Sequence, residues 1–501
     1  MLNPDIAKFV ALVIQLSHRS LFASNHSRSR RQLLSLPTLA ATLMRVFHVG
    51  EEDVTEKITP TVLWVEAPDF QQRLQSLMNP SAAVKRDIGS LVDFLKRPQI
   101  EHLKWFQKAI LGEEKSLGRP RGSFVTRKSY IWNGVQFGRH RVYLVSTVRV
   151  VEAIYVPRYR LVLSARREPK TTFADELVGL IRDDTERFRA TWRTPAPKAL
   201  AQLVHRPRIL HNVSQELRAS WESQEILDPP PGLFILERGA FFKASFYKKF
   251  GGQIVSAGEL RRVARNHTLY SFWWSHRSNE IFNNRVRETV LDCSNQVESF
   301  PTTGKKALFL EISSGERRSF VDEVEAMVSI IDWAKSRWGD TAFFVFNGYT
   351  ASSTPTSNHT KVIDCQKNIL SRILGGSGLS SEEYHSLIGS HAEEKILAAS
   401  KCVAFVSSGS PVQWPLWFGG LPGVIHGSPR ALEEAMKLFS GGQGEQKALV
   451  ISPEQSRVVA FDDSRNLQAL KGGRTWASDN YSIGPKLIVD CLQEVIDRHV
   501  D

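Results

Sequence analysis

Two short runs of serine, glycine and arginine contain the residue types that proteins use to bind phosphate groups. They comprise Ser313, Ser314, Gly315, Arg317 and Arg318 in the first run, and Ser407, Ser408, Gly409 and Ser410 in the second. Serine hydroxyls and the N–H groups of small residues can surround a diphosphate, and an arginine guanidinium can neutralise it through paired hydrogen bonds. The serines also suit a tight turn with a helix cap, and the arginines a solvated helix entrance.

Each run follows a predicted strand and precedes a predicted helix. The segments KALFLEIS and CVAFVSSG are short and nearly continuously apolar, which is typical of strands that are buried on both faces. In an open parallel sheet, ligands bind beyond the carboxyl ends of the strands and at helix N-termini. We therefore expect the two runs to lie at neighbouring strand ends and to form one cationic site for a pyrophosphate.

Several motifs that define other nucleotide-using or hydrolytic proteins are missing from the sequence. No GxGxxG follows the first strand of the later half and no GxxxxGK[ST] occurs, which disfavours a dinucleotide oxidoreductase and a Walker-type NTPase. The sequence has no Asp-x-Asp, the usual cue for metal-bound sugar nucleotides, and no GxSxG, the simplest hydrolase signal. We expect neither a metal nor a cofactor.

From about Gly304 onward, predicted strands and helices alternate regularly. The segment SFVDEVEAMVSIIDWAKSRWG has apolar residues every three or four positions from Val321 to Ala334, which predicts a helix, and Ser319 with Asp322 resembles a capping box at its start. Further strands are predicted in AFFVFNG, GVIHG and ALVIS, and further helices in SPRALEEAMKLFSGG and GPKLIVDCLQEVIDRH. This alternation predicts a Rossmann-like α/β architecture, in which helices cover a parallel sheet.

The earlier half of the chain has a different character. Its first hundred residues are predicted to be mostly helical, with one strand in KITPTVLWVEAPD (57–69). Residues 125–165 are rich in β-branched and aromatic side chains, so RVYLVSTVRVVEAIYV and YRLVLSA should pair in a sheet. A helix in TTFADELVGLIRDDTERFRATW and a strand in LFILERG (233–239) follow.

Composition and charge set the broad class of the protein. The 501-residue chain is long enough for two or three domains, and its 42% hydrophobic and 23% charged residues are typical of soluble globular proteins. Its four cysteines contain no CxxC, and the opening apolar run FVALVI is too short to span a bilayer, so we expect a cytoplasmic protein. The formal net charge of +13 indicates a solvated basic surface or attraction to membrane head groups, nucleic acid or phosphorylated small molecules.

Residues of about 300–500 resemble the C-terminal half of bacterial GT-B glycosyltransferases that build capsule and cell-surface polysaccharides and are distantly akin to the family-61 type. The resemblance lies in LFLEISSGERRSFVDEVEAMVSIIDWAKSRWGDTAFFVFNGYT, in VAFVSSGSPVQWPLWFGGLPGVIHGS and in the late WASDNYSI. Where those enzymes have a Gly-x-Gly-Leu-like loop, this chain has Ser408-Gly409-Ser410-Pro411.

This resemblance implies a GT-B-like α/β fold with two Rossmann-like domains facing a cleft. A mostly helical N-terminal region over 1–120 would precede a Rossmann-like acceptor domain over 121–300. A Rossmann-like donor domain would cover 301–483, and a terminal helix 484–501.

The resemblance also assigns roles to individual residues. Those that would bind the nucleotide-sugar donor are Ser313, Ser314, Gly315, Arg317, Arg318, Asn347, Gly348, Tyr349, Ser407, Ser408, Gly409 and Ser410. A catalytic base for the acceptor hydroxyl would come from the earlier half, where His211 and Glu237 are the candidates beside Glu216. Glu393 and Glu394 are predicted to face water rather than a sugar. Fixed cations and helix dipoles would stabilise the leaving diphosphate without a metal.

Together, the residues and the resemblance lead us to expect a metal-independent glycosyltransferase that uses a nucleotide-sugar. Its acceptor would be a glycan or a lipid-linked glycoconjugate, and its basic surface would hold it near an anionic membrane. A basic nucleic-acid-binding protein is a second interpretation, although the basic residues are scattered rather than arranged in a stripe. A Rossmann-like interaction protein that has lost catalysis is a third, because the loop lacks one glycine.

Overall fold

The structure is a computed structural model, and it describes residues 61–500 with interruptions. The residues outside this description are 1–60, 79–81, 114–119, 127–129, 138–139, 166–176, 182–184, 194, 198, 207–209, 273–279, 294–303, 314–319, 356, 409–417, 440–446, 460–479 and 501. The described chain divides into two compact units. Unit 1 contains the residues up to Ala201 together with Arg261–Ser271, and unit 2 contains Gln202–Leu260 and the residues from Phe272 onward.

The strands and helices are numbered in chain order. The strands are β1 (Thr61–Trp64), β2 (Pro120–Val125), β3 (Ile131–Phe137), β4 (His140–Ser146), β5 (Ala153–Val156), β6 (Leu161–Ser164), β7 (Ala199–Val204), β8 (Gly232–Leu236), β9 (Gly252–Val255), β10 (His267–Tyr270), β11 (Lys306–Glu311), β12 (Ala342–Asn347), β13 (Tyr384–Ser386), β14 (Ala404–Ser408), β15 (Gly423–His426), β16 (Ala448–Val450), β17 (Arg457–Val459) and β18 (Asn480–Ser482). The α-helices are α1 (Phe70–Met78), α2 (Ala82–Leu95), α3 (Gln99–Leu111), α4 (Thr185–Arg193), α5 (Arg218–Ile226), α6 (Ala244–Lys249), α7 (Ala257–Asn266), α8 (Glu280–Cys293), α9 (Glu323–Trp338), α10 (Ser357–Ser377), α11 (Ala392–Ala399), α12 (Pro429–Phe439) and α13 (Pro485–His499).

Unit 1 is built on a six-stranded sheet in the order β1-β6-β5-β4-β3-β2. Its neighbouring strands are antiparallel except for β1 and β6, which are parallel. The aromatic side chains of Trp132, Tyr143 and Phe188 pack together in one of its buried clusters. The predicted strand in 57–69 and the predicted pairing of RVYLVSTVRVVEAIYV with YRLVLSA are confirmed.

The antiparallel sheet corrects the expectation of a Rossmann-like domain over 121–300. Antiparallel strands can be joined by tight turns, whereas parallel strands need a crossover of about a dozen residues or more. Only residues 138–139 separate β3 from β4, and the unit boundary at Ala201 also falls inside the expected domain. Residues 120–164 therefore form an antiparallel meander.

Unit 2 contains a six-stranded sheet in which each pair of neighbours is parallel, in the order β13-β12-β11-β14-β15-β16. Counted from β11, this is the order 3-2-1-4-5-6 of the Rossmann fold. All six residues of β12 are buried, as expected for a strand covered by helices on both faces. The predicted α/β architecture of parallel strands and alternating helices is confirmed for this sheet.

The helices of this sheet share a core with its strands. The first turn of helix α9 contains Glu323 and Glu325, and Gly339 follows its last residue. Met327, Ile330 and Ile331 on one of its faces are buried. The predicted apolar stripe is shifted by about one position, because Val321, Val324 and Val328 are only partly buried. Buried residues of α10, α11, α12 and α13 complete the same core.

A second set of strands in unit 2 contains β8 and β9, which are parallel and flanked by α6. Strand β7, which crosses the unit boundary, is the neighbour of β8. Phe246 of α6 and Phe282 of α8 share a buried cluster with Ala392 and Ile396 of α11. Helix α11 thus contributes to two buried clusters within unit 2, this one through Ala392 and Ile396 and the core of the six-stranded sheet through Ala398 and Ala399.

A late segment of the chain docks onto the start of α9. The Asp322 carboxylate accepts hydrogen bonds from the Ser482 hydroxyl (2.5 Å) and the Ile483 N–H (3.1 Å). The Phe320 and Tyr481 rings stack with centroids 5.1 Å apart, and the Tyr481 hydroxyl lies 3.1 Å from Nδ1 of His426. Asp322 directly precedes α9 and its carboxylate binds this distant segment, whereas Ser319 of the predicted capping box lies outside the described residues.

Candidate functional site

The strand order of the six-stranded sheet creates a switch point between β11 and β14, where the chain changes direction across the sheet. Strand β11 pairs with β12 on one side and with β14 on the other, both in parallel. Ser313 follows β11, and Ser407 and Ser408 end β14, so these serines follow neighbouring strands as the sequence predicted. In sheets of this order, ligands bind outside the carboxyl ends of the strands at such a point.

The Glu311 carboxylate occupies the position between these two strand ends. Its Oε2 accepts hydrogen bonds from the Ser408 N–H (3.0 Å), from the Ser408 hydroxyl (3.3 Å) and from the Ser407 hydroxyl. Its Oε1 has no hydrogen-bond partner among the described residues, and the residue is partly exposed. The switch point therefore presents a carboxylate oxygen that can accept a hydrogen bond from a ligand hydroxyl.

The serine donors expected to bind phosphate are engaged within the protein. The Ser313 N–H donates to the buried carboxylate of Glu323, and its hydroxyl lies 3.4 Å from the Glu311 carbonyl oxygen. The expected binding of phosphate by Ser313, Ser407 and Ser408 stays a prediction, and in this structure these donors contact carboxylates of the protein. Glu311 on the adjacent strand accepts the hydrogen bonds of Ser407 and Ser408, and Glu323 at the start of α9 accepts that of the Ser313 N–H, as buried polar groups require.

The residues after β12 form a tight turn held by one glutamine. Gln366 of α10 accepts a hydrogen bond from the Tyr349 N–H (2.6 Å) and donates one to the Ile312 carbonyl (2.9 Å). A Cβ at Gly348 would lie 2.5 Å from Oε1 of Gln366, so this glutamine requires a glycine there. The side chain of Asn347 is buried, and its Oδ1 has no partner among the described residues.

Lys395 brings a buried ammonium group to the same edge of the sheet. Its side chain is fully buried, and Nζ donates a hydrogen bond to the Gly348 carbonyl at 2.5 Å. Burial lowers the pKa of Lys395 to about 7, although Glu311 and Glu394 act in the opposite direction. The sequence carries one signal for Lys395, a lysine at the start of the apolar helical segment KILAA. Lys395 was not among the predicted site residues.

Glu393 is buried, which corrects the expectation that it faces water. Its Oε1 accepts a hydrogen bond from the Lys243 N–H, and its Oε2 is buried without a partner among the described residues. Burial raises the pKa of Glu393 to about 7, against the lowering effect of the bond from Lys243. Glu394 is partly exposed and lies 3.8 Å from Nζ of Lys243.

The loop after β8 meets the loops after β12 and β13. The Ser353 N–H donates to the Ala240 carbonyl (2.9 Å), and the Ala392 N–H donates to the Phe241 carbonyl (3.0 Å). The Tyr247 hydroxyl in turn accepts the Phe241 N–H at 3.1 Å, which fixes the loop. Within unit 2, the carboxyl ends of β8 and of β12 and β13 therefore converge.

The acceptor-side candidates have different surroundings. Glu237 follows β8 directly, is partly buried, and its side chain makes no hydrogen bond with the described residues. Glu216 is fully buried and accepts the N–H groups of His205 (2.9 Å) and Arg206 (3.0 Å), so it is a structural anchor rather than a free base. His211 lies in a π-helical stretch over Leu210–Leu217, and its side chain is outside the described residues.

Two arginines near Glu237 were not predicted from the sequence. Arg206 and Arg238 are close enough for the pKa of Arg238 to be lowered, first by burial and then by the Arg206 charge. Nε of Arg206 lies 3.7 Å from the Glu216 carboxylate. The two arginines lie with the carboxylates of Glu216 and Glu237 near the end of β8, and in the sequence they are scattered among other basic residues.

Several predicted site residues lie outside the described residues. They are Ser314, Gly315, Arg317, Arg318, Gly409 and Ser410. The structure therefore bears on Ser313, on Asn347–Tyr349, and on Ser407 and Ser408, but on neither predicted arginine.

The described part of the chain contains no group of three or more His, Cys, Asp and Glu side chains arranged to hold a metal ion. None of the described helices combines the length and apolar character needed to cross a membrane. Comparison with models of protein families and with curated protein sequences found no match for this chain.

Proposed function

We propose that the protein is a glycosyltransferase that moves a sugar from a nucleotide-sugar donor to a glycan or lipid-linked acceptor. The observation that carries the proposal is the convergence of strand ends within unit 2. The loop after β8 is hydrogen-bonded to the segments that contain Ser353 and Ala392, after β12 and β13. A GT-B-like enzyme needs this arrangement, since donor and acceptor must meet between two sets of parallel strands.

The donor would bind at the switch point of the six-stranded sheet. Oε1 of Glu311 has no partner among the described residues and can accept a hydroxyl of the ribose or of the sugar. The net charge of +13 favours an anionic donor over a neutral one. This assignment retains the predicted location of the donor but changes its recognition from serine donors to a carboxylate acceptor.

Glu237 would act as the base. It lies at the carboxyl end of β8, and its carboxylate makes no hydrogen bond with the described residues. A partly buried carboxylate in such a position can take the proton of an acceptor hydroxyl as the glycosidic bond forms at the anomeric carbon. The nucleoside diphosphate would leave from the same carbon.

Donor binding tests the proposal first. We expect one of the UDP-, GDP-, CMP- and TDP-linked sugars to raise the melting temperature, because a ligand that binds the folded state stabilises it by mass action. At about pH 6, substituting Glu311→Gln keeps one acceptor for Ser408 and removes the second, so the Kd for the donor should rise by about tenfold. The matched control is Glu325→Gln, an exposed carboxylate on α9, which should bind like the native protein. A flat response to all four classes would contradict the proposal.

Transfer tests the role of Glu237. The Glu237→Gln variant should bind the donor with an unchanged Kd but lose about 10²–10⁴-fold in transfer rate, as for other general bases. Donor hydrolysis and transfer to lipid-linked or oligosaccharide acceptors would be measured by release of the nucleoside diphosphate. If the variant transfers at the native rate, the base is another residue.

A further inference from the structure

Lys395 is the described cationic side chain that is held at the end of β12 beside the switch point. Its Nζ donates to the carbonyl of Gly348, the residue after Asn347, and Asn347 pairs in register with Glu311. An ammonium has three donors, and the described structure provides one acceptor for it at 2.5 Å. Lys395 is thus fully buried but incompletely satisfied when it is charged.

The charged and titratable groups around Lys395 lie on β11, on α11, on β13 and in the loop after β8. Glu311 at the end of β11 and Glu394 on the same helix both favour the charged form of Lys395. Glu394 also faces Lys243 and His385, and burial lowers the pKa of His385. Glu393 lies two positions before Lys395 and is bound by the Lys243 N–H. Glu311 is the carboxylate among these that lies at the proposed donor site.

We propose that Lys395 is the buried countercharge of Glu311, so that an anionic donor binds at the switch point together with the uptake of a proton by Lys395. This inference deepens the proposed function and rests on it. The proton comes from the solvent and goes to Nζ, and no covalent bond to the donor is formed. Since Lys395 is buried, it acts through its charge and through Gly348, and is a positioning residue.

The direction of the coupling follows from the charges. Burial lowers the pKa of Lys395 to about 7, so it is neutral at higher pH and leaves Glu311 as an uncompensated negative charge. The donor phosphates are then repelled, whereas below about pH 7 the Lys395–Glu311 pair is neutral overall. Couplings between sites are typically about 5–150-fold, and we expect donor affinity to fall about tenfold between about pH 6 and about pH 9.

The proton uptake can be measured on the native protein. Calorimetric titration with the nucleotide-sugar that raises the melting temperature, in buffers of different ionisation enthalpy, should show uptake of about half a proton per donor at about pH 7.5. A nucleotide-sugar is the appropriate probe because its diphosphate carries no proton that titrates near neutral pH. The Glu393→Gln variant, which removes the other buried group titrating near pH 7, should retain this uptake.

Two variants separate a charge role from a packing role. Lys395→Met should take up no proton and should bind at about pH 6 as weakly as the native protein does at about pH 9. Lys395→Arg, which stays charged, should also take up no proton but should bind at about pH 9 as tightly as the native protein does at about pH 6. If Lys395 only ties α11 to β12, both variants would lose stability and the native protein would show no buffer-dependent enthalpy.

The outcomes distinguish this inference from the proposed function. Donor binding without proton uptake and with a pH-independent Kd overturns the inference and leaves the function standing. If no nucleotide-sugar binds, the proposed function fails, and sulfate, an anion that does not titrate in this range, is the second probe. Sulfate stabilisation that weakens above about pH 7 and is lost in Lys395→Met supports the inference. If sulfate stabilises the native protein and Lys395→Met equally, the inference is overturned.

Discussion

At the scale of single residues, Glu311 changes the chemistry that the sequence suggested. Two serine-rich turns indicated a cradle of N–H and O–H donors for phosphate. In the structure those donors bind Glu311 Oε2 and Glu323, and an acceptor oxygen of Glu311 is left at the switch point. An acceptor oxygen can bind a hydroxyl group, so under the proposed function we expect a ribose or sugar hydroxyl to bind at this oxygen of Glu311.

Glu393 gives a stability prediction with a defined sign. Its pKa is raised by burial from 4.5 to about 7, so the folded state binds its proton more tightly than the unfolded state does. The unfolding free energy should therefore be highest below about pH 4.5 and should decrease as the pH rises through about 7, by at most about 3 kcal/mol.

The variant Glu393→Gln should remove this decrease of the unfolding free energy with rising pH. Urea denaturation at about pH 5 and about pH 8 should show that the unfolding free energy decreases less with rising pH in the variant than in the native protein. The neighbouring Glu394→Gln is the control, because Glu394 is partly exposed, and it should behave like the native protein. An unchanged pH dependence in Glu393→Gln would assign the effect to another group. Burial lowers the pKa of Lys395 to about 7, so Lys395 adds unfolding free energy above about pH 7 in native protein and variant alike, and the effect of Glu393 is read from the difference between the two proteins.

Local sequence cannot reveal such pairings. The Ser407 hydroxyl binds a carboxylate 96 positions earlier, and Lys243 and Glu393 are 150 positions apart. The polar residues at the ends of β11, β12 and β14 were foreseeable because each follows a clear apolar run. Their donor and acceptor roles depend on the strand order, which no single segment encodes.

At the scale of elements, the apolar runs predicted β11, β12, β14, β15 and β16 correctly. Strand β13 (Tyr384–Ser386) was missed, because three residues of mixed polarity at the edge of a sheet carry no periodic signal. The composition of residues 120–164 predicted a sheet. It did not show that this sheet is an antiparallel meander instead of part of a Rossmann-like domain. Strand-forming composition is the same for both, and only the lengths of the connections differ.

Gly423 on β15 should tolerate a side chain poorly. A Cβ there would collide with the ring and the carbonyl oxygen of Phe405 on β14. The Gly423→Ala variant should lose about 1–3 kcal/mol of unfolding free energy or more, because the backbone of a paired strand cannot move aside.

The matched control is Gly375→Ala on α10. Gly375 is exposed, and a Cβ added there would meet no atom within 4 Å beyond the backbone of its own helix. Alanine should therefore raise the unfolding free energy by about 0.5–1 kcal/mol, through its higher helix propensity. Chemical denaturation of both variants would show opposite signs. Similar effects would mean that β14 and β15 can separate locally without cost.

At the scale of the whole molecule, the net charge of +13 has a testable effect on binding. Screening shortens the Debye length from about 10 Å at 0.1 M salt to about 3 Å at 1 M. The affinity for the nucleotide-sugar should fall about three- to tenfold over this range, whereas that for the uncharged nucleoside should stay constant. Equal salt dependence for both ligands would mean that the basic surface does not contribute to donor binding.

A salt titration of binding to duplex DNA tests the nucleic-acid interpretation. A protein that neutralises several phosphates of DNA shows a linear fall of log K with log salt, with a slope of about −0.9 per phosphate. We expect no binding of duplex DNA with such a slope, because the basic residues are scattered along the chain. Neither net charge nor composition could have made this distinction without a binding measurement.

The docking of Ile483 and Ser482 on Asp322 bears on how the chain reaches its working form during synthesis. The start of α9, which borders the switch point, is anchored by residues 160 or more positions later in the chain. A ribosome that has produced all of β11 to β16 has therefore not yet supplied the segment that fixes this border. The contacts that fix this border therefore form only after β18 has been synthesised.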